Sequence, residues 1–225
     1  ELTADQVWTN WKTATSSYGQ TVTSASETRE GDTLIIKGLT ITSTFEGGSI
    51  NGTIDTVNFR ELGDGTVEIT MSPDYPLVVN STDLDGRKSV VNVAVRQPDL
   101  KIIASGSEAE ATYDFSAPAV KVVVNDVTVE EKPLELDLEV DLTVIAGKYI
   151  VTAGTPAKIT SAFSAESAGL TLATADPATN SKVNMKGSVN TLSGTSNGNL
   201  LDTVSMANMS QALKAGFATN GTFNY

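Results

Sequence analysis

The chain has 225 residues and a formal net charge of −12, and it contains neither histidine nor cysteine. Those two side chains supply most general bases near neutral pH, most activated nucleophiles and most transition-metal ligands. Ser-His-Asp and Cys-His catalysis, zinc centres, haem attachment and disulfides are therefore excluded together. The acidic balance argues against nucleic acid and anionic membrane surfaces as partners.

Apolar residues make up 40% of the chain and aromatics only 6%, so the core must be mostly aliphatic. No apolar run approaches the roughly 18 residues of a membrane-spanning helix. The chain starts at Glu1, which removal of a secretory signal would explain, and the absence of cysteine fits a bacterial envelope protein.

The first predicted element is a helix. Thr3 and Gln6 have capping-box spacing, and Leu2 and Val7 occupy the positions of a hydrophobic staple. Val7, Trp8, Trp11, Ala14 and Tyr18 then share one face, and Gly19 ends the run. Both tryptophans lie here. The plain reading is a helix plugging a β-sheet; the functional one has the Trp pair lining a ligand cavity or docking a partner.

Beyond Gly19 the period of the pattern changes from 3.6 to 2. Early strands are expected at about Gln20–Glu30, Thr33–Thr44, Ser49–Leu62 and Thr66–Met71, punctuated by Gly31-Asp32, Gly47-Gly48 and Gly63-Asp64-Gly65. Middle strands follow at Tyr75–Asn80, Ser89–Gln97, Leu100–Ser105, Ala109–Phe115 and Ala119–Val129. The late ones are Leu134–Ile145, Lys148–Thr155, Lys158–Ser164, Gly169–Ala175 and Val183–Leu192.

In the segment Leu134–Val144, leucines and valines alternate strictly with Glu135, Asp137, Glu139, Asp141 and Thr143, the mark of a strand dry on one side and wet on the other. A second helix is expected near Leu201–Ala215, with Met206, Met209, Ala212, Leu213 and Phe217 as its apolar stripe and Gly216 as its C-cap glycine. Asn220-Gly221 then turns into the opening of another strand. Gly38-Leu39-Thr40-Ile41 followed by Gly52–Val57 is echoed by Gly169-Leu170-Thr171-Leu172 followed by Gly187–Leu192. The echo divides one β-rich domain, 1–225, into pseudo-repeated halves of about 1–125 and 126–225.

The acidic row Glu135, Asp137, Glu139 and Asp141 is a candidate calcium site only if an adjacent strand adds ligands, since same-face neighbours lie about 7 Å apart. Otherwise it is a solvated face that discourages sheet aggregation. Asp83-Leu84-Asp85-Gly86 resembles part of a calcium loop but lacks its further ligands, and reads as a turn. Ser210 and Lys214 stand one helical turn apart, where a Ser-Lys dyad or simply a polar flank would fit. No glycine-rich phosphate loop is present. No catalytic residue, metal site or cofactor is assigned.

Several phrases carry a family resemblance as a set: Leu2-Thr3-Ala4-Asp5-Gln6-Val7-Trp8 with Trp11, Ser26-Glu27-Thr28-Arg29-Glu30-Gly31-Asp32-Thr33-Leu34, Glu61-Leu62-Gly63-Asp64-Gly65-Thr66-Val67-Glu68 with Tyr75-Pro76, and Tyr113-Asp114-Phe115-Ser116-Ala117-Pro118. Together they resemble an alphaproteobacterial family of secreted envelope proteins defined by a domain of unknown function, number 2125. The resemblance covers most of the first 125 residues and the Ala212–Phe217 helix. It implies a signal peptide and a parent about twice this length, with this chain as an N-terminal portion. The family has no established activity, so no residue role comes with it.

These observations predict a mainly β fold: a large curved antiparallel sheet or incomplete barrel with two helices packed on its concave or open side. The expected function is a non-enzymatic periplasmic or secreted binding protein that encloses a lipid-like or other apolar ligand. Trp8, Trp11, Tyr18, Met206, Met209 and Phe217 are the candidate ligand contacts. The alternative is a structural or adaptor protein of the envelope that docks a protein partner through its sheet, by strand addition.

Overall fold

The computed structural model describes residues 1–175, 181–201 and 209–225. Helix α1 (Ala4–Ser17) opens with the capping box that its sequence requires. The Gln6 N–H donates to Thr3 Oγ1 at 3.3 Å, and the Thr3 N–H donates to Gln6 Oε1 at 2.9 Å. Glu61, from a distant strand, accepts from the Ala4 N–H at 2.9 Å, so a carboxylate meets the positive end of the helix dipole. Arg29 clamps this corner, holding Glu61 and Asp5 at 2.8 Å each. At the far end Gly19 takes φ +75°, a left-handed conformation that costs glycine nothing, and the chain leaves the helix.

The strands are β1 (Gln20–Thr23), β2 (Ser26–Glu30), β3 (Thr33–Phe45), β4 (Gly48–Glu61), β5 (Val67–Met71), β6 (Asp74–Thr82), β7 (Lys88–Arg96), β8 (Lys101–Gly106), β9 (Glu110–Val129), β10 (Lys132–Leu134), β11 (Leu136–Thr152), β12 (Ala157–Ala175), β13 (Lys182–Leu200) and β14 (Thr219–Asn224); α2 (Met209–Lys214) precedes the last. All fourteen join one antiparallel sheet. Six strands close a ring in the order β4-β5-β8-β9-β7-β6. It is not a barrel wall. The registers place β5 and β6 end to end along β4, and β8 and β7 end to end along β9, so the ring surrounds two breaks between strands within one continuous sheet.

Those breaks belong to a seam that crosses the whole sheet. Inward-facing apolar residues normally recur every second position on a strand. At the seam they recur at the third: Ile36 and Leu39 on β3, Ile54 and Val57 on β4, Ala117 and Val120 on β9, Leu142 and Ile145 on β11, Ala165 and Ala168 on β12, Val189 and Leu192 on β13. The registers align these positions across neighbours. Leu39 faces Ile54, Val120 faces Leu142, Leu142 faces Ala168, and Ala168 faces Val189. One extra residue per strand, at one level, bends the sheet while keeping its apolar face on one side. Gly38, Asp99, Val144 and Thr191 lie on this line with φ of +60°, +57°, +47° and +61°.

The core cluster lies chiefly on one side of the seam, and Leu39 and Ile54 carry it across. Leu2, Ala4, Val7 and Trp8 of the α1 end pack on Leu34, Ile36, Val57, Phe59, Val67, Ile69, Ile102, Ala104, Ala111 and Tyr113. Phe59 is fully buried under both tryptophans, with ring centroids 5.7 Å from Trp8 and 5.3 Å from Trp11. Apart from Trp8, Phe59 and Tyr113 the buried core is aliphatic.

Several expectations are corrected in detail. Gln20–Glu30 divides into β1 and β2; Ala109–Phe115 and Ala119–Val129 run together as β9 from Glu110, Leu134–Ile145 and Lys148–Thr155 as β11 over Leu136–Thr152, and Lys158–Ser164 and Gly169–Ala175 as β12. The change of alternation phase at each junction is the seam, not a turn. The second helix is described over Met209–Lys214 only, because residues 202–208 lie outside the described residues. In the acidic row, Lys121 on β9 places its Nζ 2.8 Å from Glu139 and 3.0 Å from Asp141, filling with an ammonium the position a cation would take. Among the described residues no three acidic side chains converge as a metal site. Ser210 and Lys214 are both exposed, and Asp83 closes a turn by accepting from the Asp85 and Arg87 N–H groups.

Two outcomes test this account. A β-branched residue in the left-handed region costs about 1–2 kcal/mol, so Val144→Asn, at an exposed site, is expected to raise stability to urea by about 1 kcal/mol. The Arg29 hydrogen bond, then that from Ala4, hold the Glu61 carboxyl below the usual carboxylate range. Its contribution is present above the unfolded pKa and is lost as pH falls through the depressed folded value. Glu61→Gln should therefore flatten the acid limb of the stability profile in urea titrations at stepped pH.

Candidate functional site

α1 covers only part of the sheet, and its C-terminal half stands over two adjoining clefts. One, of about 190 Å³, is lined by Asn10, Trp11, Ala14, Tyr113, Tyr149 and Leu200 among others. The second, about 390 Å³ and more open, shares Trp11, Ala14, Tyr149, Val151 and Leu200, and adds Tyr18 and Ile159. Tyr113 and Tyr149 face each other across the β9–β11 ladder and stack at 4.5 Å and 12°. Wider depressions of about 540 and 530 Å³ lie on open sheet surface against charged side chains, Lys101, Asp114 and Lys148 in one and Asp74 and Arg96 in the other. They offer less enclosure for an apolar ligand.

The clefts are mostly apolar, and among the described residues no cation lines them. Glu108 is the one charged side chain among their lining residues, and it is held by Gln6 Nε2 at 2.7 Å. Burial pushes the Tyr149 phenol far above the ordinary range, and the neighbouring Tyr113 adds to the effect. The Trp11 indole N–H lies near the Tyr149 hydroxyl without a hydrogen bond of standard geometry; the Trp8 N–H is likewise buried and unpaired.

Beyond the seam the apolar face continues without α1 above it. A cross-strand row runs Ile41, Gly52, Leu77, Val93, Val124, Leu138, Leu172, Met185, each directly opposite the next. Phe45, Ile50, Val183, Met185 and Val189 on this face are between 37% and 53% exposed. On the α1 side a second row alternates ring and glycine: Phe115, Gly147, Phe163, Gly194, Phe223. A Cβ at Gly147 or Gly194 would overlap the adjacent phenylalanine, so each ring lies flat over a bare backbone.

The structure separates the residues expected at the site. Trp8 is a core residue on Phe59, Trp11 lines both clefts, and Tyr18 lines the wider one. Phe217 is half-buried after α2 and lines neither cleft. Met206 lies outside the described residues, as does the side chain of Met209. Tyr113, Tyr149, Val151 and Leu200 were not anticipated: each falls in a strand pattern, and nothing local ties it to a helix more than a hundred residues earlier. Comparisons of the chain with protein-family models, with curated proteins and with solved structures find no match.

The buried phenols give a testable signature. Burial raises Tyr18, Tyr75, Tyr113 and Tyr149. A phenol raised in the folded state contributes stability below the unfolded value near pH 10, and that contribution is lost as pH rises through the folded value. Ultraviolet titration should show most tyrosines ionising late, Tyr149 only with alkaline unfolding, and Tyr149→Phe should remove the last step.

Proposed function

We propose that this protein is a non-enzymatic periplasmic or secreted envelope protein that holds a lipid-like apolar ligand on the inner face of its sheet, beside α1. The observation that carries the reading is the unbroken aliphatic face, which passes through the seam and runs out from under α1 into half-exposed valine, leucine and methionine. Contiguous exposed apolar surface beyond a few hundred Å² marks an interaction site in a soluble protein. Each methylene buried there is worth about 0.8 kcal/mol, so an acyl chain lying along the strands gains affinity without any polar anchor. The cleft beneath Trp11, with no cation to fix a headgroup, fits the end of such a chain. Catalysis has little to draw on, because the chain lacks histidine and cysteine.

The test is native mass spectrometry of the purified protein before and after organic extraction, followed by titration with dansyl-labelled undecanoic acid. A stoichiometric acyl species and probe binding are expected. Leu170→Asp, on the inner face, should weaken the probe at least tenfold, while Thr171→Asp, its outward-facing neighbour, should leave binding unchanged. A clean apo mass with no probe binding would sink the reading.

A further inference from the structure

We infer that the cleft under Trp11 holds its ligand by an uncharged oxygen acceptor, an ester carbonyl or a hydroxyl, and rejects a carboxylate or a cationic headgroup. The inference rests on the ligand reading above, and adds which end of the ligand enters the cleft.

Most polar side chains that α1 brings to the two clefts are already spent. Thr13 Oγ1 donates to the Thr9 carbonyl at 3.0 Å, Thr15 Oγ1 to the Trp11 carbonyl at 2.7 Å, and Ser17 Oγ to the Thr13 carbonyl at 3.1 Å. Glu108 accepts from Gln6 at 2.7 Å. The Trp11 indole N–H differs: it is buried, and among the described residues no partner of standard geometry meets it. It stands beside the Tyr149 hydroxyl, and Asn10 stands beside that of Tyr113. The two phenols stack at 4.5 Å, so indole, amide and both tyrosines meet at the cleft of about 190 Å³.

An indole nitrogen only donates, whereas a phenol can donate and accept at once. A buried N–H left unsatisfied is costly, so the group that completes this set must offer an oxygen. Charge decides which oxygen. Among the described residues neither cleft is lined by lysine or arginine, so nothing neutralises a carboxylate brought out of water. Glu108, exposed beside the narrower cleft, repels it further. Burial already favours the neutral phenols of Tyr113 and Tyr149, the mark of a place that penalises charge. A cationic headgroup offers the indole no acceptor, and the only carboxylate it could meet is held by Gln6. Val151, Ile159 and Leu200 of the wider cleft then receive the methylenes that follow the oxygen.

Four ligands of matched chain length test this by displacing the dansyl probe from the 225-residue chain at neutral pH: methyl decanoate, decanol, decanoate and decyltrimethylammonium. The ester or the alcohol should bind at least tenfold more tightly than either ion, and the better of the two names the acceptor as carbonyl or hydroxyl. Tyr149→Phe deletes a hydroxyl and keeps the ring, and Trp11→Phe deletes the N–H. Each should bring the preference for the neutral ligand over decanoate down to about threefold or less. A variant that weakens neutral and charged ligands alike, with the preference intact, would overturn the role given to these donors. Decanoate or the quaternary ammonium binding as tightly as the neutral pair would overturn the inference and leave the lipid reading standing. If neither the probe nor any of the four binds, the lipid reading falls and this inference with it.

Discussion

One constraint organises this molecule: the apolar face of the sheet must stay on one side along strands of up to 20 residues. At about 3.3 Å per residue such a strand runs some 65 Å, far beyond what a 14-residue helix can cover. A flat ribbon of that length would not wrap a core. Inserting one residue at the same level in each strand bends the whole sheet together. Because the insertion is shared by every neighbour, the ladder resumes beyond it with partners still facing. Left-handed conformations at Gly38, Asp99, Val144 and Thr191 are the local cost of that bend.

The seam also divides labour. On one side α1 seals an aliphatic core over Phe59, pinned at its N-terminus by Glu61 and Arg29. On the other side the same face continues with no described helix packed across its far rows. The fully buried side chains Val7, Ile36, Val57, Phe59, Val67 and Ile69 all lie on the α1 side. The clefts under Trp11 lie on the α1 side, against Tyr113, Tyr149, Val151 and Leu200 at the strand ends away from the seam.

Much of the architecture was legible in local pattern. The helix start was written in Thr3, Gln6, Leu2 and Val7, and the period-2 alternation after Gly19 announced a curved antiparallel meander. Two phrases of the apparent repeat, Ile54-Asp55-Thr56-Val57 and Val189-Asn190-Thr191-Leu192, both cross the seam. Where alternation lost phase, at residues 118–119, 143–144 and 166–167, a strand end and a shared insertion look the same in one sequence. Only the neighbouring strands distinguish them.

The sequence by itself determined the chemistry that is missing, the aliphatic nature of the core, the caps of α1 and which side of each strand is dry. Local hydrogen bonding and side-chain periodicity are enough for that. The tertiary structure alone decided that Trp8 belongs to the core while Trp11 opens on clefts. It also brought Tyr149 and Leu200 beside a helix in the first 17 residues, gave Glu139 and Asp141 a lysine in place of a metal ion, and turned Glu27 and Arg29 of β2 toward α1. Each of these depends on which strands become neighbours, a matter of long-range register that no local run of residues encodes.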